Sequence, residues 1–279
     1  MNDTTWTVKG GKVLGPAPFF IAGIVNVTPD SFYDGGTHSD TLSGVAHALE
    51  LARQGAHILD IGGESTRPYS DPVGEAEEMD RVLPVVEGLV QARTCAVISV
   101  DTYKAKVAAR CLEAGAAIIN DVSGFRFEPE LLDVLVEYKP GYVLMHSLGR
   151  PENMQDEPRY EDVVGEIMAF FEERLTVLDR AGLPLDRVVL DPGIGFGKKL
   201  EHNLSILREV ERFNELGLPV YMGLSNKSIW KGLVGAETGE RQNATQAATA
   251  VLAAKGVPIH RVHEVQLTRQ TLTIARELA

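Results

Sequence analysis

Residues able to bind, polarise or carry charge recur at one kind of place in this chain, the end of a short apolar run. Asn26 and Thr28 close the first run, and Glu64, Ser65, Thr66 and Arg67 follow the second. Asp101 ends the third, Asn120 and Asp121 the fourth, His146 and Ser147 the fifth, and Asp191 the sixth. Ser225, Asn226 and Lys227 follow the seventh, while Arg261 and His263 lie at the eighth. Asp101, Asn120 and Asp191 accept hydrogen bonds, as a flat heterocycle with amino and ring N–H groups requires. Lys227, Arg261 and His263 supply a positive potential that suits an anion, and Arg261 and His263, two apart, share a face of a strand. A ligand with a nitrogenous ring at one end and phosphate at the other matches both sets. Each residue alone also has a plainer use, as a helix cap, a turn former or a solvated cation. Asp60, in the middle of its run, reads as a satisfied interior carboxylate rather than a catalyst. The joint distribution by sign is what points to a site.

The apolar runs span 19–28, 57–63, 96–102, 116–121, 141–147, 187–193, 219–225 and 259–265. Their nearly continuous apolar character predicts strands of a parallel sheet buried on both faces. Between them, TLSGVAHALELARQG, GEAEEMDRVLPVVEGLV and YEDVVGEIMAFFEERLTVLDRAG carry apolar residues at three- and four-residue spacing. Gly55, Gly115, Gly182, Gly217 and Gly256 stand just before the next strand, as helix stop signals do. Eight such units predict an α/β fold, a (β/α)₈ TIM barrel forming a single domain over residues 1–279. In that fold functional groups gather at the carboxyl ends of the strands, and the last two strands often hold phosphate. An open doubly wound sheet is the competing architecture, but its glycine fingerprint after the first strand is absent.

Composition narrows the function. Twenty-seven basic against 39 acidic residues give a net charge of −12, which argues against a nucleic-acid or anionic-membrane partner. No apolar run approaches the roughly 20 residues that span a bilayer, and the N-terminus lacks the pattern of a signal peptide. Two cysteines, Cys95 and Cys111, make neither a disulfide framework nor a four-thiolate metal site. A cytoplasmic enzyme is the expectation. The segment DPGIGFGKK (191–199) misses both the phosphate-loop and the dinucleotide spacing, and reads as a flexible loop that lets Asp191 and Phe196 face the mouth. VTPDSFYDGG (27–36) reads as a mobile lid, and 146–160 as a long irregular loop.

GIVNVTPDSFYDGG, DIGGESTRP, SVDT, IINDVSG, LMHSLGRPENMQ, LDPGIGFGK, GLSNKS and HRVHEV, in this order, resemble the signatures of dihydropteroate synthase over about residues 19–275. The resemblance implies a pterin-binding barrel of folate biosynthesis. Such an enzyme joins 4-aminobenzoate to 6-hydroxymethyl-7,8-dihydropterin diphosphate, releases diphosphate and uses Mg²⁺. It further implies pterin contacts from Asp101, Asn120, Asp191, Gly223 and Lys227, with Met145 and Phe196 around the ring. Arg261 matches the arginine that stacks on the pterin and reaches the diphosphate. Asn26 and His263 match diphosphate positions, Asn26 being also the Mg²⁺ ligand. Thr66, Arg67 and Pro68 match one mobile loop, and Phe32 and Asp34 the other. Ser228, opening a helix, matches the serine that meets the aminobenzoate carboxylate, an arrangement the helix N-terminus favours. A homodimer is the family's common assembly.

The implied reaction is a dissociative displacement at the exocyclic methylene of the pterin, with the arylamine as nucleophile. Asp101, Lys227, Arg261, His263, Arg67 and Asp34 are the residues expected to serve catalysis. One position departs from the family: its usual S-R-K-S reads Ser225-Asn226-Lys227-Ser228 here, which removes a positive charge near the aminobenzoate pocket. Two rivals share the pterin half-site, a catalytically silent pterin-binding paralogue and a methyltetrahydrofolate:corrinoid methyltransferase-like barrel. Retention of Asn26, Arg67, Arg261 and His263 together argues against the second.

Overall fold

The structure, a computed structural model, describes residues 3–28, 37–66 and 68–278. Eight parallel strands follow one another around a barrel: β3 (Phe20–Asn26), β4 (Ile58–Gly62), β5 (Val97–Asp101), β6 (Ile118–Asp121), β7 (Gly141–Met145), β8 (Val188–Asp191), β9 (Tyr221–Gly223) and β10 (Ile259–Val262). Ladders join β3 to β10 and β10 to β9. Between β8 and β9 the wall is joined by a bridge of Leu190 to Val220, where the Leu190 amide donates to the Pro219 carbonyl at 2.9 Å. The helices between the strands are α1 (Thr37–Gln54), α2 (Glu75–Gln91), α3 (Ala105–Ala114), α4 (Leu131–Tyr138), α5 (Val163–Ala181), α6 (Leu200–Arg208), α7 (Ile229–Val234) and α8 (Arg241–Ala254), and α9 (Val265–Leu278) ends the chain. The glycines read as stop signals take positive φ, from 71° at Gly217 to 126° at Gly115. At Gly115 a side chain would also meet Val90.

Period-two alternation divides each strand between two cores. Leu59 and Ile61 of β4, with Ile98 and Val100 of β5, face outward into the apolar layer under the helices. Ile58, Val97, Ile118, Val143, Val189, Tyr221 and Ile259 face inward and form an apolar floor with Phe20 and Ala22. Higher in the lumen the inward positions change character, to Asp60, Ser99, Asp101, Asn120, Asp191 and Arg261. The strands are therefore buried on both faces, as their composition predicts, but their inner face is apolar only at its base.

A hairpin seals that base. Strands β1 (Thr4–Thr7) and β2 (Val13–Ala17) pair antiparallel. Gly10 and Gly11 turn the chain between them at φ 73° and 74°. Trp6 packs into the floor, and its indole N–H donates to the Arg187 carbonyl at 2.7 Å. Truncating so large a buried ring costs about 3–5 kcal/mol. The strand pattern of the sequence does not announce this hairpin, because its residues are mostly polar or small and only Trp6 and Val8 are buried.

Candidate active site

The carboxyl ends of the strands bring most of the chemistry-bearing residues to one rim. Register places Asp101 beside Asn120 across β5 and β6, and Gly62 beside Asp101 across β4 and β5. Met145 pairs with Asp191, and Gly223 with Arg261. Gly223 faces the Arg261 side chain, which a Cβ there would meet only at an ordinary contact of 4.0 Å.

Arg261 is the centre of a buried network. Its Nε donates to Asp60 Oδ2 at 2.6 Å and its Nη2 to Asp101 Oδ2 at 2.7 Å. Asn120 Nδ2 donates to the same Asp60 oxygen at 2.9 Å, and Ser99 Oγ to the other at 2.6 Å. Burial opposes the charge on Arg261, but Asp60 and Asp101 outweigh it and raise its pKa further. The Asp101 carboxyl is raised by burial, with Arg261 pulling it back and Asp60 pushing it up. Asp60 is indeed satisfied, as its mid-strand position suggests. Two of its partners, Asn120 and Arg261, are however candidate ligand-binding residues, so it belongs to the site as their support. Sequence reasoning passes over that role because the residue it holds lies at the far end of the chain.

Asp191 is buried at the opposite wall, and Gly193 N–H donates to its Oδ1 at 2.8 Å. Burial lifts its pKa to about 6, against the pull of the Gly193 amide and of Lys227. Lys227 Nζ lies 4.4 Å from the centroid of the Phe196 ring, and burial lowers it to about 8 while Asp191 supports its charge. Phe196 packs with Met145, Val122, Met154 and Tyr103, so the two residues read as walls of the ring pocket share one apolar cluster.

The loop after β8 is held from within by Lys198, itself buried. Its Nζ donates to the carbonyls of Gly193, Phe196 and His146 at 2.9, 3.0 and 3.3 Å, and sits 3.1 Å from His146 Nδ1. Burial brings Lys198 down to about 7. Gly193 is required beside it: at φ 70° a side chain would run into the His146 carbonyl oxygen. The segment read as a flexible loop is thus a braced one.

His263 stands beyond the end of β10, its Nδ1 2.9 Å from Ser225 Oγ, with its own N–H 3.2 Å from the same oxygen. Asn26 is half-buried at the end of β3. Thr66 is half-buried and Pro68 exposed on the loop after β4, and Ser228 is exposed at the start of α7. Phe32, Asp34 and Arg67 lie outside the described residues, as does most of the 27–36 loop.

One expectation needs correction. The sequence suggests carboxylates and cations in separate half-sites, but Arg261 sits between two carboxylates, and the charge on Lys227 is supported electrostatically by Asp191. A narrow dry lumen forces this interleaving, because a buried cation without a counter-charge is strongly destabilising. His263 pairs instead with the Ser225 hydroxyl. Among the described residues no group of three or more His, Cys, Asp or Glu could hold a metal ion.

Comparison with known proteins places the chain in a family. The family of pterin binding enzymes matches residues 22–263. Dihydropteroate synthase of Escherichia coli is 41% identical over 254 residues, which cover 91% of this chain and 89% of that one. The structure of Xanthomonas albilineans dihydropteroate synthase with 4-aminobenzoic acid superposes with a TM-score of 0.91 at 42% identity, covering 98% of both chains. The same enzyme in complex with 7,8-dihydropteroate gives a TM-score of 0.88 at 40% identity, covering 99% of this chain and 98% of that one. A family match over residues 22–263, together with relatives alike over nearly the whole length, places the chain among the pterin-binding enzymes, and within them among the dihydropteroate synthases.

Proposed function

We propose that this chain condenses 6-hydroxymethyl-7,8-dihydropterin diphosphate with 4-aminobenzoate, giving 7,8-dihydropteroate and diphosphate. The convergence of Asp101, Asn120, Asp191, Lys227 and Arg261 on one lumen carries this reading. Asp191 and Asp101 accept from the amino and ring N–H groups of the pterin, and Met145 and Phe196 flank the ring. The C–O bond to diphosphate breaks first, its electron pair leaving with the diphosphate. The two carboxylates stabilise the positive charge that spreads over the pterin, an electrostatic effect of a dry, preorganised site. Arg261 and His263 hold the departing anion. The aminobenzoate nitrogen then bonds to the methylene carbon and releases a proton to solvent, so no covalent enzyme intermediate forms. Thr66, Arg67 and Pro68, with Phe32 and Asp34, exclude water from a cation that water would otherwise trap. Ser228 meets the carboxylate of aminobenzoate.

Mg²⁺ fits this donor set in one way. Asn26 offers a single neutral oxygen donor, which suits an ion that keeps several waters and takes its remaining ligands from substrate phosphates. Bound there, it would neutralise charge on the diphosphate.

The xanthomonad relatives with 4-aminobenzoic acid and with 7,8-dihydropteroate support one substrate and the product. A homodimer is the assembly proposed by family analogy. Exposed Leu233 and Val234 on α7, Val251 on α8 and Leu267 and Ile274 on α9 are the apolar side chains that support it, and sedimentation tests it. No described helix is long and apolar enough to cross a membrane, and a cytoplasmic location is part of the proposal. The direct test of the reaction is diphosphate release by the purified chain with both substrates and Mg²⁺. Pterin diphosphate binding without turnover would instead favour the silent paralogue.

A further inference from the structure

Beside the pterin pocket lies a second buried charged cluster that the reaction does not use. Lys104, at the start of α3, sends its ammonium between Glu64 on the loop after β4 and Glu78 in the first turn of α2, pairing with both. The three side chains are 8%, 7% and 1% exposed. Tyr103 donates its hydroxyl to Glu64 Oε1 at 3.1 Å, and the amide of Val73 lies 3.3 Å from Glu64 Oε2. Glu64 therefore ties the beginning of the 64–73 loop to its end. Farther along, the Tyr69 amide donates to the Pro151 carbonyl at 2.9 Å, and Arg150 beside it stacks on Phe127, 4.6 Å from the ring centroid.

Two carboxylates facing one ammonium leave the cluster one negative charge in excess. Among the described residues none donates a hydrogen bond to the buried Glu78 Oε1, and burial raises the Glu78 carboxyl despite Lys104. A helix and a loop could be joined with apolar groups at lower desolvation cost. What an ion pair adds is a fixed direction and register, and the segment so fixed carries Thr66 and Pro68.

We propose that Lys104 is a positioning residue: through Glu64 it holds the 64–73 loop in the register that receives 4-aminobenzoate, without touching either substrate. This rests on the synthase reading above and adds to it a support lying outside the substrate pocket.

The test uses the full chain with Lys104→Met, Glu64→Gln and the double variant. KM for 4-aminobenzoate is expected to rise by about tenfold in each single variant, while the dissociation constant of pterin diphosphate stays within about threefold. The double variant should resemble one single variant rather than their product, because both remove the same link. Hydrogen exchange at Tyr69 and Val73 should quicken in the unliganded protein. Should Lys104→Met fail to fold, with two buried carboxylates left unpaired, Lys104→Met combined with Glu78→Met removes one of them and preserves the measurement. Constants for both substrates that shift in parallel, or exchange at Tyr69 and Val73 that stays at the wild-type rate, would overturn the proposal. Exchange is read without turnover, so an inactive wild-type protein would sink the synthase reading and leave the tether to be judged by exchange alone.

Discussion

Asp60 on β4 and Arg261 on β10 are 201 positions apart in the chain and 2.6 Å apart in the barrel, Oδ2 to Nε. That contact sets the plane of the guanidinium, because a second nitrogen of the same fork reaches Asp101 at 2.7 Å. Removing one partner of a buried ion pair costs about 3–5 kcal/mol. Asp60→Ala is expected to lose stability of that order in denaturant unfolding. Arg261→Lys should fail to restore affinity for pterin diphosphate, since a single ammonium cannot reproduce a fork shared by two carboxylates. Calorimetry showing wild-type affinity in Arg261→Lys would contradict this account.

The pterin half-site has a pH window with two edges. The Asp191 carboxylate accepts at both oxygens only when ionised, and its pKa of about 6 places an acid edge there, joined by that of Asp101, which burial also raises. Lys227 serves only when protonated, and its pKa of about 8 places the alkaline edge there. Affinity for pterin diphosphate should therefore be greatest between these values and fall on either side. Asp191→Asn should remove its own part of the acid edge together with most of the affinity, leaving the part due to Asp101, and Lys227→Met should remove the alkaline edge. An acid edge left unchanged in position and depth in Asp191→Asn would assign it to Asp101 alone.

Asn226 adopts φ 58°, a left-handed conformation that asparagine tolerates better than most residues. Its carbonyl accepts from Arg241 Nη1 at 3.0 Å. Asn226→Arg returns the charge usual in the family, at a backbone cost of about 1 kcal/mol. The expected outcome is a lower KM for 4-aminobenzoate at low ionic strength, with the difference from wild type shrinking as salt is added. An unchanged KM across that salt range would show that this position does not sense the carboxylate.

Lys198→Met strips the donor from three backbone carbonyls in the loop that carries Phe196. Each buried polar group left unsatisfied costs about 1–3 kcal/mol, partly recovered if the loop relaxes. Thermal unfolding should shift downward, and affinity for diphosphate-free pterin should fall, because Phe196 and Asp191 depend on that loop. A variant with wild-type pterin affinity would show that the loop keeps its shape without the lysine.

What could be read from the chain alone is what local pattern encodes. Apolar runs of the right length, each ended by a polar residue and followed by a helix with a glycine stop, specify the barrel and its functional rim. Asp101, Asn120 and Asp191 are legible because they stand at strand ends. Asp60 is not, because the feature that matters is which way it faces and which distant residue meets it there. Glu64 and Lys104 are hidden for the same reason: each looks like an ordinary surface charge until the fold encloses them with Glu78. Lys198 was masked by its glycine-rich surroundings, which suggest freedom of movement where the structure has a brace. Trp6 was overlooked because a hairpin of mixed polarity lacks the signature shared by the eight repeated units.

The bridge of Leu190 to Val220 gives the barrel a seam. Neighbouring staves elsewhere are laced along several residues, whereas these two are tacked together near their ends. Asp191 and Lys227 emerge on opposite banks of that gap, on the β8 and β9 sides. A pterin grasped by both would act as a clasp, so saturation with ligand should slow deuterium uptake at Leu190 more than at Val100 or Ile119. The vessel is completed by its cargo.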